Sequence, residues 1–293
     1  MTDQSDQFHF DSLVPPVRFD RRGFMVTSLS AGFALAAQPV TAQQVITTSA
    51  EGLVAGEVKI PTGDGSMPAY RACPQGSGRH PVVLVVQEIF GVHEHIQDLC
   101  RRLAKLNYFA VAPALYARQG DPSKYSSIPE ILSQVVSKVP DEQVMSDLDA
   151  TLAWTRGEQA AAADRAGITG FCWGGRITWL YAAHSGQVKA AVAWYGPVAG
   201  DKTALKPANP IDVAAKLKAP LLGLYGGADT GIQVEDVNRA RDEARAAGKT
   251  VEIVVYPDAP HGFNADYRPS YRKEAAEDGW KRMQAWFKSH GVA

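Results

Sequence analysis

Cysteine is scarce in this chain. Its 293 residues include three cysteines, Cys73, Cys100 and Cys172, and none of them forms a Cys-x-x-Cys pair. A disulfide framework needs a larger, even set, and a cysteine zinc site needs closely spaced pairs. The sequence excludes both, and at least one thiol stays free because at most one disulfide could form. We predict that Cys73 and Cys100 are structural, and the sequence leaves their pairing open.

An excess of charge of either sign is also missing. The 30 Lys and Arg residues balance 31 Asp and Glu residues, which gives a formal net charge of -1, and no basic stripe stands out. Proteins that bind nucleic acid ordinarily present a basic face to the phosphates, so the sequence predicts no nucleic-acid partner. With 45% hydrophobic and 21% charged residues, the composition is that of a globular protein.

Long apolar runs and metal-binding patterns are lacking as well. No run approaches the roughly 18 residues that cross a bilayer, so we predict no stable membrane span. His93 and His95 flank Glu94, but residues two positions apart diverge on a helix and no third ligand is evident. We therefore predict no metal site, and we interpret these residues as the start of a helix over 96–106.

The N-terminal region has the layout of an export signal. Residues 21–24 read Arg-Arg-Gly-Phe, a weakly apolar run covers 26–37, and Val-Thr-Ala at 40–42 is a small-x-small cleavage site. The paired arginines resemble a twin-arginine signal, whose pathway carries folded proteins. We predict that residues 1–42 are removed and that residues 43–293 are periplasmic or secreted. The alternative is a disordered tail with a chance arginine pair.

Short apolar runs alternate with helical patterns along the rest of the chain. Six runs predict buried strands, and two weaker segments predict an antiparallel hairpin at the sheet edge: 82–86, 109–112, 167–171, 190–195, 221–225 and 252–256, with 56–60 and 69–73. A long connection spans 116–140, and after it Val144, Leu148 and Leu152 share one face of a predicted helix of about 15 residues. Further helical patterns cover 176–183, 234–247 and 271–289. This order predicts one α/β domain with a mostly parallel, doubly wound sheet and helices on both faces.

A nucleophile elbow is predicted in the middle of this domain. Residues 170–175 read Gly-Phe-Cys-Trp-Gly-Gly, directly after a predicted strand and before a helical pattern. The pattern Gly-x-nucleophile-x-Gly marks the sharp turn of α/β-hydrolases, with Cys172 in the place of the commoner serine. A helix N-terminus at this point favours thiolate. The alternative is an inert buried cysteine beside a glycine-rich turn.

An acid and a base follow the elbow in the chain order of that fold. Asp229 comes after the strand at 221–225, and His261 lies on the loop after the last strand. Asp258 competes for the role of the acid, but it stands three residues before His261 and is interpreted as a turn residue. We predict that Cys172, Asp229 and His261 are the catalytic triad.

The loop after the first parallel strand predicts the rest of the site. In this fold that loop supplies one backbone N–H of the oxyanion hole, here from Ile89, and the other comes from Trp173. Glu88 is unusual there because negative charge opposes an oxyanion, so we predict that it interacts with the thiol. The alternative is a carboxylate that only complements a helix dipole.

These motifs resemble the dienelactone hydrolase family. The matching pieces span roughly residues 55–290 and include Gln-Glu-Ile-Phe-Gly at 87–91, the motif at 115–119, the elbow, and Pro-His-Gly-Phe at 260–263. The resemblance implies an α/β-hydrolase fold, hydrolysis of a cyclic enol ester and no cofactor. It also implies that Cys172, Asp229 and His261 match the family triad, and that Glu88 holds and then activates the resting thiol.

The resemblance is weaker for the substrate contacts. Family members carry a substrate-binding arginine four residues after the triad histidine, where this chain has Ala265 and the nearest arginine is Arg268. A second family arginine is not evident in the long connection. The contacts that remain as candidates are Tyr116, Arg118, Phe263 and Arg268.

The sequence favours a cysteine-dependent hydrolase of a small ester or lactone. A general carboxylesterase, a thioesterase, a catalytically silent binding module of the same fold and a redox thiol protein are the alternatives. The natural substrate and the oligomeric state stay open.

Overall fold

The computed structural model describes residues 45–293, and the predicted signal over 1–42 lies outside these residues. Within the described part, eight strands form one sheet in the order β1-β2-β4-β3-β5-β6-β7-β8. The strands are β1 Leu53–Thr62, β2 Gly65–Pro74, β3 His80–Val86, β4 Phe109–Pro113, β5 Ala161–Phe171, β6 Val188–Trp194, β7 Leu221–Gly226 and β8 Val251–Tyr256. β1 and β2 are antiparallel, β2 pairs antiparallel with β4, and the remaining pairs are parallel.

Seven α-helices connect or follow the strands in the same part of the chain. They are α1 Glu94–Lys105, α2 Ile128–Gln134, α3 Asp141–Thr155, α4 Trp173–His184, α5 Pro210–Val213, α6 Val234–Ala246 and α7 Lys273–Ser289. Right-handed crossovers place α1 on one face of the sheet, because the chain moves to the left from β3 to β4. The later crossovers move to the right and place α3 and α4 on the other face. The predicted doubly wound α/β-hydrolase fold is confirmed.

The central strands are buried on both faces, which explains their nearly continuous apolar sequence. Every side chain of β4 is buried, and β3 is buried from Pro81 onward. Alternation appears in the edge hairpin that the sequence predicted, along β1 and in the first half of β2. Helices covering both faces therefore remove the period-two signal from the sheet interior.

Several boundaries differ from the sequence-based expectation: α1 begins at Glu94 rather than at Ile96, and β5 begins at Ala161 rather than at Gly167. The last helix begins at Lys273 rather than at Tyr271, because Tyr271 still belongs to a turn in which its N–H bonds to the carbonyl of Arg268. The long connection contains α2 and two 3-10 turns, Pro122–Lys124 and Val136–Lys138, rather than one short helix. Ser127 begins α2 with a capping box to Glu130, a signal that the sequence already carried.

Candidate active site

The carboxyl ends of the parallel strands bring four predicted residues to one edge of the sheet. Glu88 follows β3, Cys172 follows β5, Asp229 follows β7 and His261 follows β8. Loops at this edge carry the functional groups of doubly wound folds, because all parallel strands end there. All four side chains are buried.

Cys172 occupies a strained backbone position between β5 and α4. It is the N-cap of α4, with φ 57° and ψ -120°, a region that residues with a Cβ seldom enter. Its N–H donates to the carbonyl of Trp194 at 3.0 Å, and its carbonyl accepts from Gly175 at 2.9 Å. These bonds hold the turn that projects the thiol from the end of the strand.

The turn at Cys172 requires glycine on both sides, because backbone atoms approach each other closely there. A Cβ at Gly170 would lie 2.2 Å from the carbonyl oxygen of Gly174. A Cβ at Gly174 would lie 2.4 Å from the carbonyl oxygen of Val86 and 2.5 Å from that of Gln87. The first turn of α4 is therefore pressed against the end of β3, immediately before Glu88.

His261 is held by Asp229. The Nδ1 atom of His261 lies 2.7 Å from Oδ2 of Asp229, and the other oxygen of Asp229 accepts from the N–H of Gly231 at 2.9 Å. A carboxylate can only accept, so Nδ1 carries the hydrogen and Nε2 faces away from the acid. Asp258, the competing acid, is exposed on the preceding turn.

The electrostatics couple this histidine to the thiol. Burial by itself lowers the pKa of His261, but the negative charges of Asp229 and Cys172 outweigh it and raise the pKa to about 10. Nε2 makes no hydrogen bond of good geometry within residues 45–293, yet the sulfur is close enough for its charge to act on the ring. A protonated imidazole is therefore favoured close to the sulfur of Cys172.

Glu88 stays ionised although it is fully buried. Burial by itself raises its pKa, but a hydrogen bond from His93 and the electrostatic effects of His95, His93 and Arg268 outweigh burial and hold the pKa at about 2. Oε2 lies 3.3 Å from Nε2 of His93 and accepts from the hydroxyl of Tyr267 at 2.7 Å. The carboxylate is thus anchored through one oxygen.

The two backbone N–H groups predicted for an oxyanion hole belong to the turn after β3 and to the start of α4. Ile89 is inside a tight turn closed between Glu88 and Gly91, and Trp173 is the first residue of α4. The N–H groups in the first turn of a helix have no acceptor within that helix.

Three of the four residues predicted to contact the substrate lie next to the cluster of Glu88, Cys172 and His261. Tyr116 meets Trp173 edge-on at 4.8 Å, and burial followed by the charge of Cys172 raises the pKa of Tyr116 well above its ordinary value. Arg268 lies over the ring of Phe90 at 6.0 Å. Phe263 is fully buried against aromatic rings, including Tyr195 at 5.2 Å.

Arg118 is engaged elsewhere, which differs from the expectation of a substrate contact. Its guanidinium bonds to Asp64 at 2.5 and 2.6 Å and to Asp147 at 2.7 and 3.0 Å. Those carboxylates tie the β1–β2 turn to α3 and do not belong to the group around Cys172. Arg118 therefore connects two elements of the fold.

Three residues around the site were missed by sequence reasoning. His93 and Tyr267 contact Glu88, and the ring of Tyr195 meets that of His261 at 5.2 Å. Tyr195 directly follows β6 with φ 37°, so its place at the carboxyl end of a strand was a usable signal. No group of three potential ligands in the described part of the chain is arranged to hold a metal ion. No helix there is long and apolar enough to cross a bilayer.

The fold and the grouping of these side chains define a hydrolase of the α/β-hydrolase class. Within that class, the chain belongs to the dienelactone hydrolase family, whose family model matches residues 67–291. The family, the fold and the hydrolase class expected from the sequence motifs are confirmed.

Relatives cover nearly the whole chain. A Methylorubrum extorquens protein named "Putative carboxymethylenebutenolidase" is 64% identical over 282 residues, covering 96% of this chain and 97% of the relative. An Escherichia coli protein of the same name is 55% identical over 268 residues, covering 91% of this chain and 98% of the relative. The crystal structure of a "Putative Dienelactone Hydrolase" from Klebsiella pneumoniae has a TM-score of 0.79 at 57% identity, covering 80% of this chain and 98% of that one.

Proposed function

We propose that this hydrolase cleaves a small ester or lactone through a Cys172–His261–Asp229 triad and an acyl-enzyme. The observation that carries the proposal is the geometry of the triad candidates. Cys172 is presented at a strained helix N-cap, its charge acts on His261, and His261 bonds to Asp229 at 2.7 Å. The names of the relatives, carboxymethylenebutenolidase and dienelactone hydrolase, point to a lactone as the substrate.

The proposed reaction has two halves. The Cys172 thiolate attacks the carbonyl carbon, and the N–H groups of Ile89 and Trp173 donate to the oxyanion. His261 gives its proton to the leaving oxygen, and a thioester to Cys172 remains. Water then attacks the thioester while His261 accepts a proton from it, which releases the acid and restores the thiolate of Cys172 and the imidazolium of His261. If the substrate is a lactone, the leaving oxygen stays attached to the acyl chain, so the product is one molecule that carries both the carboxylic acid and the hydroxyl group.

Buried polar atoms without hydrogen-bond partners support a polar substrate-binding site beside the triad. The hydroxyl of Tyr195, the indole N–H of Trp173 and Oε1 of Glu88 are buried and have no hydrogen-bond partner within residues 45–293. Buried polar groups are nearly always paired, so such atoms indicate a ligand or water position. Tyr195 and Trp173 offer donors to the oxygens of an ester.

The decisive experiment compares Cys172→Ala and Cys172→Ser with the unaltered protein on p-nitrophenyl acetate and on a dienelactone. We expect Cys172→Ala to abolish hydrolysis, because no other side chain replaces the sulfur nucleophile. Cys73→Ala is the matched control, since it removes another buried free thiol. Full activity in Cys172→Ala would refute the proposed triad, and turnover of thioesters alone would redefine the substrate class as thioesters.

We also propose that the chain is exported to the periplasm or the cell exterior as a folded protein. The support is the paired Arg21 and Arg22 ahead of an apolar run and a small-x-small site. Replacing both arginines by lysine keeps the charge and removes the twin-arginine motif. We expect cell fractionation to find the variant in the cytoplasm, and unchanged export would contradict a twin-arginine signal.

A further inference from the structure

Among residues 45–293, Glu88 finds hydrogen-bond partners through one of its two oxygens. Tyr267 and His93 both reach Oε2, at 2.7 and 3.3 Å, whereas Oε1 is buried and has no hydrogen-bond partner within residues 45–293. A buried carboxylate ordinarily fills its acceptor positions, because an unpaired oxygen loses its hydration without compensation. The pattern fixes the orientation of the group and leaves one oxygen for something other than the fold.

Both partners of Oε2 are in the protonation state that donates. Burial, followed by the charge of Glu88, raises the pKa of Tyr267 well above its ordinary value, so its hydroxyl keeps the hydrogen. Burial lowers the pKa of His93, so its ring is neutral near pH 7. A neutral imidazole facing a carboxylate donates, which places the hydrogen of His93 on Nε2.

The same carboxylate faces the rest of the site. Its charge acts on Tyr116 and Tyr195, and the charge of Cys172 acts on both of these tyrosines as well. Carboxylate and sulfur therefore share one group of neighbours. The charge of Arg268 and the field of His95 also act on Glu88.

We propose that Tyr267 and His93 are positioning residues that clamp Oε2 of Glu88 and keep the carboxylate ionised, so that Oε1 is the oxygen offered to the Cys172 side of the site. The inference rests on the proposed function, because it assigns a task to a residue of that site. Neither Tyr267 nor His93 belongs to the triad or to the oxyanion donors.

The clamp explains why a bare negative charge is tolerated here. A buried carboxylate without donors would take up a proton near neutral pH, since burial alone raises its pKa. Two donors on one oxygen favour the charged form and also stop the group from rotating. The sequence carries these donors at unrelated places, on the residue before α1 and on the loop after His261.

Packing alone is the competing explanation. The ring of Tyr267 meets those of His93 and His95 at 5.1 Å and that of Phe90 at 6.5 Å, so its loss could simply loosen the structure. A packing role would lower the melting temperature and leave the pH dependence of the reaction unchanged. A positioning role moves the pH dependence.

The test removes the two donors singly and together. Tyr267→Phe deletes only the hydroxyl, His93→Leu deletes the imidazole donor, and His93→Gln keeps an N–H there. Tyr256→Phe is the matched control, because the hydroxyl of Tyr256 also donates to a carboxylate at 2.7 Å, that of Asp278, on another part of the surface. Neither Tyr256 nor Asp278 belongs to the proposed site.

Two readouts are measured from about pH 2 to about pH 9, because the pKa of Glu88 lies at about 2. The first is kcat/KM for p-nitrophenyl acetate. The second is the rate at which iodoacetamide alkylates Cys172, followed by mass spectrometry of its peptide. The second readout needs no hydrolysis, so it tests the clamp even if the ester proves to be a poor substrate. Thermal unfolding of each variant shows whether it folds.

The sign follows from the direction of donation. Losing a donor destabilises the charged carboxylate, so the pKa of Glu88 rises and the acid limb of both profiles moves to higher pH. We expect a shift of about one pH unit for Tyr267→Phe and a larger one for the double variant, with His93→Gln moving little. Tyr256→Phe should leave both profiles in place.

Unchanged acid limbs in folded Tyr267→Phe and in the folded double variant would overturn the clamp. That outcome is separate from failure of the proposed function, which would appear as hydrolysis that survives in Cys172→Ala. If Cys172→Ala is inactive and the acid limbs do not move, the triad stands and Glu88 is held by other groups.

Discussion

The protonation of one imidazole is set by its neighbours at the scale of single residues. His261 is buried, which alone favours the neutral ring, yet the charges of Asp229 and Cys172 raise its pKa to about 10. Two negative groups on either side of one ring overcome the desolvation penalty because the distances are short and water is excluded. The raised pKa therefore favours the protonated ring of His261 at neutral pH.

Asp229→Asn tests that electrostatic arrangement. Removing the carboxylate charge lowers the pKa of His261, so the alkaline limb of kcat/KM moves from about pH 10 to lower pH. We also expect kcat/KM to fall by about 10⁴-fold, by analogy with the loss of the acid in a serine protease triad. The measurement is the pH profile of p-nitrophenyl acetate hydrolysis.

Asp258→Asn is the matched control for this change. Asp258 is exposed on the turn just before His261. It should keep both the rate and the alkaline limb. A similar loss in Asp258→Asn would mean that the wrong carboxylate has been assigned.

At the scale of secondary structure elements, two contacts hold the parts of the fold that surround the site. The first turn of α4 packs against the end of β3, where a side chain at Gly174 would meet two carbonyl oxygens. Arg118 ties the β1–β2 turn to α3 through Asp64 and Asp147. The first contact sets the position of Cys172 relative to Glu88, and the second holds the edge hairpin.

Gly174→Ala should break the contact between α4 and β3. The added Cβ would lie 2.4 Å from a backbone oxygen that cannot rotate away, so the helix must shift. We expect a loss of at least about 3 kcal/mol in the free energy of unfolding. Urea unfolding measures it, with Gly186→Ala as the control, because Gly186 is exposed and its nearest neighbour would be the Lys218 side chain at 4.0 Å. Equal stability of the two variants would disprove the close approach.

Arg118→Gln separates a structural role from a substrate contact. It leaves Asp147, whose side chain is only 2% exposed, without its cation, and we expect a loss of about 2 kcal/mol in the free energy of unfolding. KM for p-nitrophenyl acetate and for a dienelactone should stay the same. Arg239→Gln, which breaks an exposed pair within α6, should change stability by less than about 0.5 kcal/mol. A raised KM with unchanged stability would return Arg118 to the substrate site.

One polar network links distant parts of the molecule. The backbone N–H of Thr48 donates to Asp98 on α1 at 2.5 Å, and its carbonyl accepts from Arg101 at 2.9 Å. Arg102 bridges Asp98 and Asp266, and Asp266 is the neighbour of Tyr267. The start of the described chain is thereby joined, through α1, to the loop that carries the proposed clamp.

A chain that starts at residue 51 should be less stable than one that starts at residue 43. The shorter chain lacks Thr48, so the buried carboxylate of Asp98 loses two donors, the N–H and the hydroxyl. We expect a cost of about 2 kcal/mol, or a Tm lowered by about 4–8 °C for a chain of this size. Differential scanning calorimetry of both chains measures it. Equal Tm values would show that the segment before residue 51 contributes nothing to stability.

Local sequence carried enough information for the order of the elements and for the residues that end the strands. The elbow, Asp229 and His261 were found because each lies within a few residues of a strand end, and parallel strands bring their carboxyl ends together. Helix boundaries were predicted less closely than strand ends. Tyr271 was assigned to the last helix but lies in the turn before it, because the residues of a turn and those of the first turn of a helix have similar composition.

The chain by itself determined the family, the α/β-hydrolase fold and the candidate triad, since these depend on periodicity, chain order and short motifs. Only the tertiary structure decided what surrounds Glu88 and where Arg118 binds. The physical reason is that a hydrogen bond depends on which side chains meet in space, and Glu88 and Tyr267 are 179 positions apart in the sequence, too far for any local pattern to show their contact. Hydrophobic periodicity reports burial, whereas the partner of a buried charge is set by packing of the whole molecule.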